Sequence, residues 1–405
     1  MKLHFFTCFL PLAACLVLLQ ACTSVKDATG RLVLPSLPPA NGSALQAGVA
    51  APFAGIHQGV ILLAGGSNFQ ECPLAEGGEK QYHDYVYILH NCLQDTVRWE
   101  VSSVKFPDKA AHGVSISIPQ GVVCMGGKNA EQHLSNVWLM RWNEHKQTVE
   151  MEAMPALPYN NADMGGALAG SRIYLAGGAI NGKAGNRCIY LELSEDGEKA
   201  WQSVPDFPGP ARLQPAVAAQ YDGNETCLYV FGGYDFDVET NAVPDILTDG
   251  YKFIPSQHQW VALSTICVDH ETRAMVGASA ISTGHDKIVF LGGVDKTLFF
   301  YDQDIVRQIR QAQSAQDTSL LKELTAQRRH YWLQPPEFFR FNKDIIVYRT
   351  VTNTWEKAGV LPGQPFAGAA VVKADDYFIM INGEIKPGVR TNEVYAINST
   401  GIANN

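Results

Sequence analysis

Beyond Cys22 the chain has no apolar run long enough to cross a bilayer. It is also short of charge. Only 18% of its residues are Asp, Glu, Lys or Arg, and the net balance is −9. A protein that neutralises nucleic-acid phosphates concentrates Lys and Arg, so nucleic acid is excluded as a partner. Cysteine is present but not in metal-binding order. Three of the nine, Cys8, Cys15 and Cys22, fall in the first 22 residues. The others, Cys72, Cys92, Cys124, Cys188, Cys227 and Cys267, show no CxxC spacing. That excludes a zinc site, and neither a metal nor a cofactor is expected.

What the N-terminus does have is a targeting signal. Lys2 supplies the positive start, residues 5–19 an apolar core, and Leu19-Gln20-Ala21-Cys22 a small-residue cleavage site. The LQAC tetrapeptide resembles the lipobox of bacterial lipoproteins. This implies that residues 1–21 are removed and that Cys22 is lipidated, with 22–30 as a tether. Thr23, where the family's inner-membrane signal is Asp, implies an outer-membrane anchor. An oxidising envelope permits disulfides, and Cys72 with Cys92, both in the first repeat unit, is the candidate pair. The remaining cysteines read as buried small apolar residues.

Six times a short apolar run ends in a Gly-containing doublet: VILLAGG (60–66), VVCMGG (122–127), IYLAGG (173–178), LYVFGG (228–233), IVFLGG (288–293) and YFIMING (377–383). A period of roughly 50–60 residues marks a repeat architecture. A small-residue or alternating strand precedes each doublet; a third strand follows, then usually a strand bearing Trp99, Trp201, Trp260 or Trp355. Four short antiparallel strands per unit make a propeller blade. The pattern resembles the kelch repeat family, which implies an all-β, six-bladed kelch-type β-propeller over residues 31–405. The last unit lacks an outer strand. RLVLPSLPP (31–39) matches the outer-strand tails MPALP (154–158) and VPDFP (204–208), so the N-terminal segment is expected to close the sixth blade.

One insertion breaks the pattern. Residues 302–329 contain no Gly or Pro, and apolar residues recur at helical spacing, which predicts two short helices between the second and third strands of the fifth blade. The aromatic residues behind them pack the insertion on the body; a lid is the alternative.

In an antiparallel blade, the start of the inner strand and the exit from the second lie at one end. Asn68, His112, Arg212, Arg273, Asp295 and Glu384 are therefore collected at one mouth of the ring, where a concave axial site is expected. The sixth doublet stands apart, because a carboxylate follows it directly and Pro387-Gly388 turns Lys386 and Arg390 back toward it. The segment GEIKPGVRT (383–391) resembles the active-site segment of bacterial N-acetylneuraminate epimerases, the sialic acid mutarotases. The GGSNF loop (65–69), with Gly77, Gly78, Tyr82 and Tyr85 behind it, is similar to another loop of that family. The segment's place near the C-terminus resembles the cyclically permuted branch.

The resemblance implies an isomerase acting on a small acid sugar, with Glu384 as general base and Arg390 binding the substrate carboxylate. Lys386 either raises the local positive potential or is simply solvated. Asn68, Arg212 and Arg273 are substrate-binding candidates by blade position alone, with bracing of neighbouring blades as the alternative. Copper chemistry of the galactose-oxidase kind finds no matching Tyr, His and Cys motif. A non-catalytic propeller that binds a glycan or a protein at the cell surface is the other functional class.

Overall fold

The computed structural model describes residues 25–26, 31–40, 48–194, 200–236 and 241–404. The stretch read as a signal, Cys22, and the stretch read as a tether apart from Val25–Lys26 lie outside them. Six antiparallel sheets, each with at least four strands, follow one another along the chain. The first is Phe53–His57, Val60–Ala64, Val86–His90 and Arg98–Val101, paired in that order. Its second strand is buried at all five residues, whereas the first alternates. A strand covered on both faces needs a continuous apolar run, and this is why each doublet is preceded by one.

Between each pair of neighbouring sheets lies an apolar cluster. Ile61, Leu63 and Leu89 pack against Ile379 and Ile381 of the sixth sheet, while Leu62, Val86 and Ile88 face Val122 and Met140 of the second. Because Ile61, Leu62 and Leu63 are 0% exposed, each contributes about 1.5–3 kcal/mol of burial. The first and sixth sheets touch as closely as consecutive ones, so the ring closes into a β-propeller.

The doublets share one backbone shape. Gly65 has φ 67° and Gly66 φ 92°, and the other Gly-Gly pairs follow the same sequence. At the sixth doublet Asn382 (φ 59°) takes the first place and Gly383 (φ 108°) the second. The first conformation is left-handed helical, which Asn tolerates; the second strongly favours Gly.

The N-terminal segment lies on the last sheet. Leu32–Leu34 pairs antiparallel with Val394–Asn398, and Val25–Lys26, within the stretch read as a tether, adds a fifth strand. A repeated brace ties this segment to the first sheet. Trp99 Nε1 donates to the Pro35 carbonyl (2.8 Å), as Trp201 does to Pro155 (2.9 Å) and Trp260 to Pro205 (2.6 Å). The prolines are the equivalent residues of the three tails LPSLP, MPALP and VPDFP.

Two expectations are corrected. No disulfide joins Cys72 to Cys92; all six described cysteines are free. Cys72 follows the second strand at the mouth, whereas Cys92 follows the third strand at the opposite end of the same sheet. The helical insertion is also longer than 302–329. Helix α1 spans Lys296–Ser314 and α2 Thr318–Trp332, capped by Asp295 and Asp317 side chains that accept from Leu298 N and Leu320 N. The run Leu298-Phe299-Phe300-Tyr301 reads as a strand by propensity, but the Asp295 cap starts the helix ahead of it.

Candidate active site

Six residues, one before each innermost strand, stand in the left-handed region: Ala51, His112, Asp163, Gln214, Gly277 and Gly368, with φ of 50–70°. Their backbones bond around the axis. His112 N donates to Ala51 O, Asp163 N to His112 O, Gln214 N to Asp163 O, Gly368 N to Gly277 O, and Ala51 N to Gly368 O. The belt forms the wall of an axial cavity of about 340 Å³. Its side chains differ by side: Ala51, Gly277 and Gly368 leave room, while His112, Asp163 and Gln214 fill theirs with polar groups.

On the roomy side stands the Glu384 hairpin. Glu384–Lys386 pairs with Val389–Arg390, so that Glu384 lies directly opposite Arg390. Glu384 N and O both bond Ala367, which fixes the hairpin to the ring. The Glu384 carboxylate meets the Arg390 guanidinium at 2.5 Å, with side chains 25% and 2% exposed. Arg390 Nε donates to the Ser67 carbonyl (3.4 Å), and its guanidinium lies 5.2 Å from the centre of the Phe69 ring. The SNF loop and the Glu segment are more than 300 residues apart in sequence. Ring closure makes them neighbours.

A second cavity of about 240 Å³ opens from the first beneath the insertion, and the two share Lys80, Val294, Phe299, Glu384 and Arg390. Helices α1 and α2 contribute Leu298, Phe299, Tyr331 and Trp332 to its wall. The insertion is fastened to the body by Arg329 Nε, which donates to Ala75 O (2.8 Å), by Lys296 Nζ, which donates to Thr272 Oγ1 (3.4 Å), and by Lys386 Nζ, which donates to Trp332 O (3.3 Å) and Gln334 O (2.8 Å). It thus packs on the body and also roofs the site.

Across the axis, Asp163 binds three partners: Lys128 Nζ (2.6 Å), His112 Nδ1 (3.0 Å) and Gln214 Nε2 (3.0 Å). Burial works against the Asp163 carboxylate, but Lys128 and His112 beside it overcome this and hold it well below its usual range. Burial, helped by the Lys128 charge, pushes His112 down to about 4.

The position-based candidates are not brought to the cavity. Asn68 is 1% exposed and bonded to Gly48 O and His83 Nε2, both at 2.9 Å. Arg212, 0% exposed, is held in a two-pronged bond by Asp249 (2.8 and 2.9 Å) and caps the Gly232 carbonyl, so it braces the ring. Arg273 pairs with Glu271 and Asp344 beside a separate surface cavity. Lys386 is engaged by the insertion. Sequence reasoning missed Lys80, Lys128, Asp163 and Gln214. For Asp163 and Gln214 a signal existed: each stands two residues before its inner strand, as His112 does.

The comparisons with known proteins bear on this site. The family model described as N-acetylneuraminate epimerase matches residues 154–403, a stretch that contains Glu384 and Arg390. The N-acetylneuraminate epimerase of Haemophilus influenzae (strain PittEE) is 32% identical over 246 residues, 60% of this chain and 59% of that protein. The N-acetylneuraminate epimerase of Yersinia pestis (strain Pestoides F) is 35% identical over 215 residues, 53% and 50% of the two chains. A solved structure titled "Structure of YjhT" superposes with a TM-score of 0.50 at 28% identity, covering 61% of this chain and 65% of that one. The chain thus spans about 50–60% of the length of these curated relatives. With the family model matching more than half of its residues, this chain belongs to the N-acetylneuraminate epimerase family.

Proposed function

We propose that the chain interconverts the α and β anomers of N-acetylneuraminate or a closely related 2-keto acid sugar. The observation that carries this reading is Glu384, paired with Arg390 at the mouth of an open axial cavity. The curated relatives named N-acetylneuraminate epimerase support it.

The chemistry needs only protons moved. Glu384 takes the proton of the anomeric hydroxyl while the bond between the anomeric carbon and the ring oxygen breaks, and delivers that proton to the ring oxygen. The exposed keto group rotates, Glu384 takes the proton back from the ring hydroxyl as its oxygen attacks the other face, and returns it to the new anomeric oxygen. Nothing is oxidised and no group is lost, so one positioned carboxylate that alternates between base and acid suffices. Arg390 holds Glu384 in place and turns the rest of its fork toward the substrate carboxylate.

Anomer exchange followed by NMR, with protein added to freshly dissolved β-N-acetylneuraminate, tests the reading. Exchange faster than buffer is expected; exchange at the buffer rate would sink it. The site of action proposed is the bacterial envelope, through a lipid on Cys22. Cys22→Ser should release the folded protein from the membrane fraction, and unchanged membrane association would count against lipidation.

A further inference from the structure

Among the described residues, the charged groups that line the two joined cavities cancel in pairs, with one exception. Glu384 is matched by Arg390, Asp302 by Arg328, and Asp295 by Arg340. Asp163 is matched by Lys128, which stands just behind the wall. Lys80 lines both cavities and, among the described residues, has neither a hydrogen bond nor an ion pair. Its loop leads into the short strand Gln81–Tyr82, which pairs with Ser67–Asn68, so Lys80 is carried to the same side of the mouth as Arg390.

An unpaired ammonium half-removed from water is costly unless a ligand supplies the counter-charge. Its own surroundings oppose the charge: burial and then the Arg390 charge lower its pKa, against the smaller pull of Glu384. An anion arriving between Lys80 and Arg390 removes that opposition. Arg390 alone gives no net attraction, since Glu384 already neutralises it.

Resting on the mutarotase reading, we infer that Lys80 is the substrate-binding residue that receives the carboxylate of the acid sugar, with Arg390 orienting it from the other side. The site therefore selects sugars that carry a carboxylate at the anomeric carbon over neutral sugars of the same size. This places the recognising charge on the first blade and the base on the sixth. Residue 80 precedes the stretch 154–403 matched by the family model.

Two measurements test the assignment. Lys80→Met should raise KM for N-acetylneuraminate by about 10–100-fold, the worth of one charge-assisted bond, with kcat little changed. Lys80→Arg, which keeps the charge, should recover most of that loss, and matching thermal midpoints would exclude unfolding. Acetic anhydride labelling read by mass spectrometry provides a readout independent of turnover. N-acetylneuraminate should protect Lys80, and its methyl ester should not. Exchange in wild type with an unchanged KM in Lys80→Met, or equal protection by acid and ester, would overturn the inference. Protection without any exchange in wild type would sink the mutarotase reading and leave the carboxylate site standing. Neither exchange nor protection would sink both.

Discussion

The two sides of the axial mouth contain similar residue types put to different use. On the side of the second, third and fourth sheets, Asp163 is surrounded by Lys128, His112 and Gln214. On the side of the sixth and first sheets, Glu384 has one side-chain partner among the described residues, Arg390, and Lys80 stands beside them with none among those residues. The Asp163 carboxylate has spent its bonding capacity on its neighbours and stiffens the belt. The Glu384 side retains capacity, which is what a substrate requires. The number of protein partners thus distinguishes the carboxylate proposed as the base, Glu384, from the one that braces the belt, Asp163.

The largest expected effect breaks the comparison on the open side. Glu384→Gln keeps the shape of the hairpin but removes the base, so anomer exchange should fall by about 10²–10⁴-fold with little change in thermal midpoint. Full activity in this variant would remove Glu384 from the chemistry.

On the closed side, the loss should be of stability. Asp163→Ala leaves Lys128 without its counter-charge and His112 Nδ1 without its acceptor. Denaturant unfolding should show a loss of about 3 kcal/mol, the lower end of the range for a broken buried pair, because Lys128 keeps a quarter of its side chain exposed. A loss in Asp163→Ala no greater than that in Glu384→Gln would erase the distinction.

Acid should sharpen it. His112 is lowered from 6.5 to about 4 in the folded chain, so between those values the unfolded chain binds more protons and stability falls as pH falls. Asp163, held below its ordinary value, adds a loss that begins below about 3.8. Thermal midpoints taken from pH 7 to pH 4 should decline in wild type and decline less in His112→Asn. An equal slope in both would show that another group governs the acid response.

The smallest effect lies away from the mouth. Trp99→Phe removes the bond to Pro35 that ties the N-terminal strand to the first sheet, and should cost about 1 kcal/mol in the same unfolding assay. Trp201→Phe, which breaks the equivalent bond to Pro155, should cost a similar amount. A much larger loss at Trp99 than at Trp201 would mean that ring closure carries more strain than an ordinary blade junction.

Much of the fold was legible because its signals are local. An apolar run covered on both faces and a Gly-only backbone angle both leave marks within a few residues, and the six doublets carry both. The recurrence of Trp and of the LPSLPP-like tails is local in the same sense. Helix α1 begins at Lys296, ahead of the stretch with helical spacing from residue 302, because the Asp295 cap starts it before an aromatic run that by itself favours strands.

At the site, the sequence by itself determined the charged turn at 384–390, since Pro387-Gly388 folds that segment back on itself within seven residues. It did not determine what faces that turn. The placing of Ser67, Phe69 and Lys80 beside Arg390 depends on the first and sixth sheets meeting, and that of Lys128 beside Asp163 on the packing of the second and third. These are contacts across sheet boundaries, which no short window of sequence encodes. The same reason explains why Arg212, at an apparently suitable position, became a brace: Asp249, 37 residues further on, takes both prongs of its guanidinium. The sequence chose the residue types, and the closing of the ring decided which of them were left unpaired.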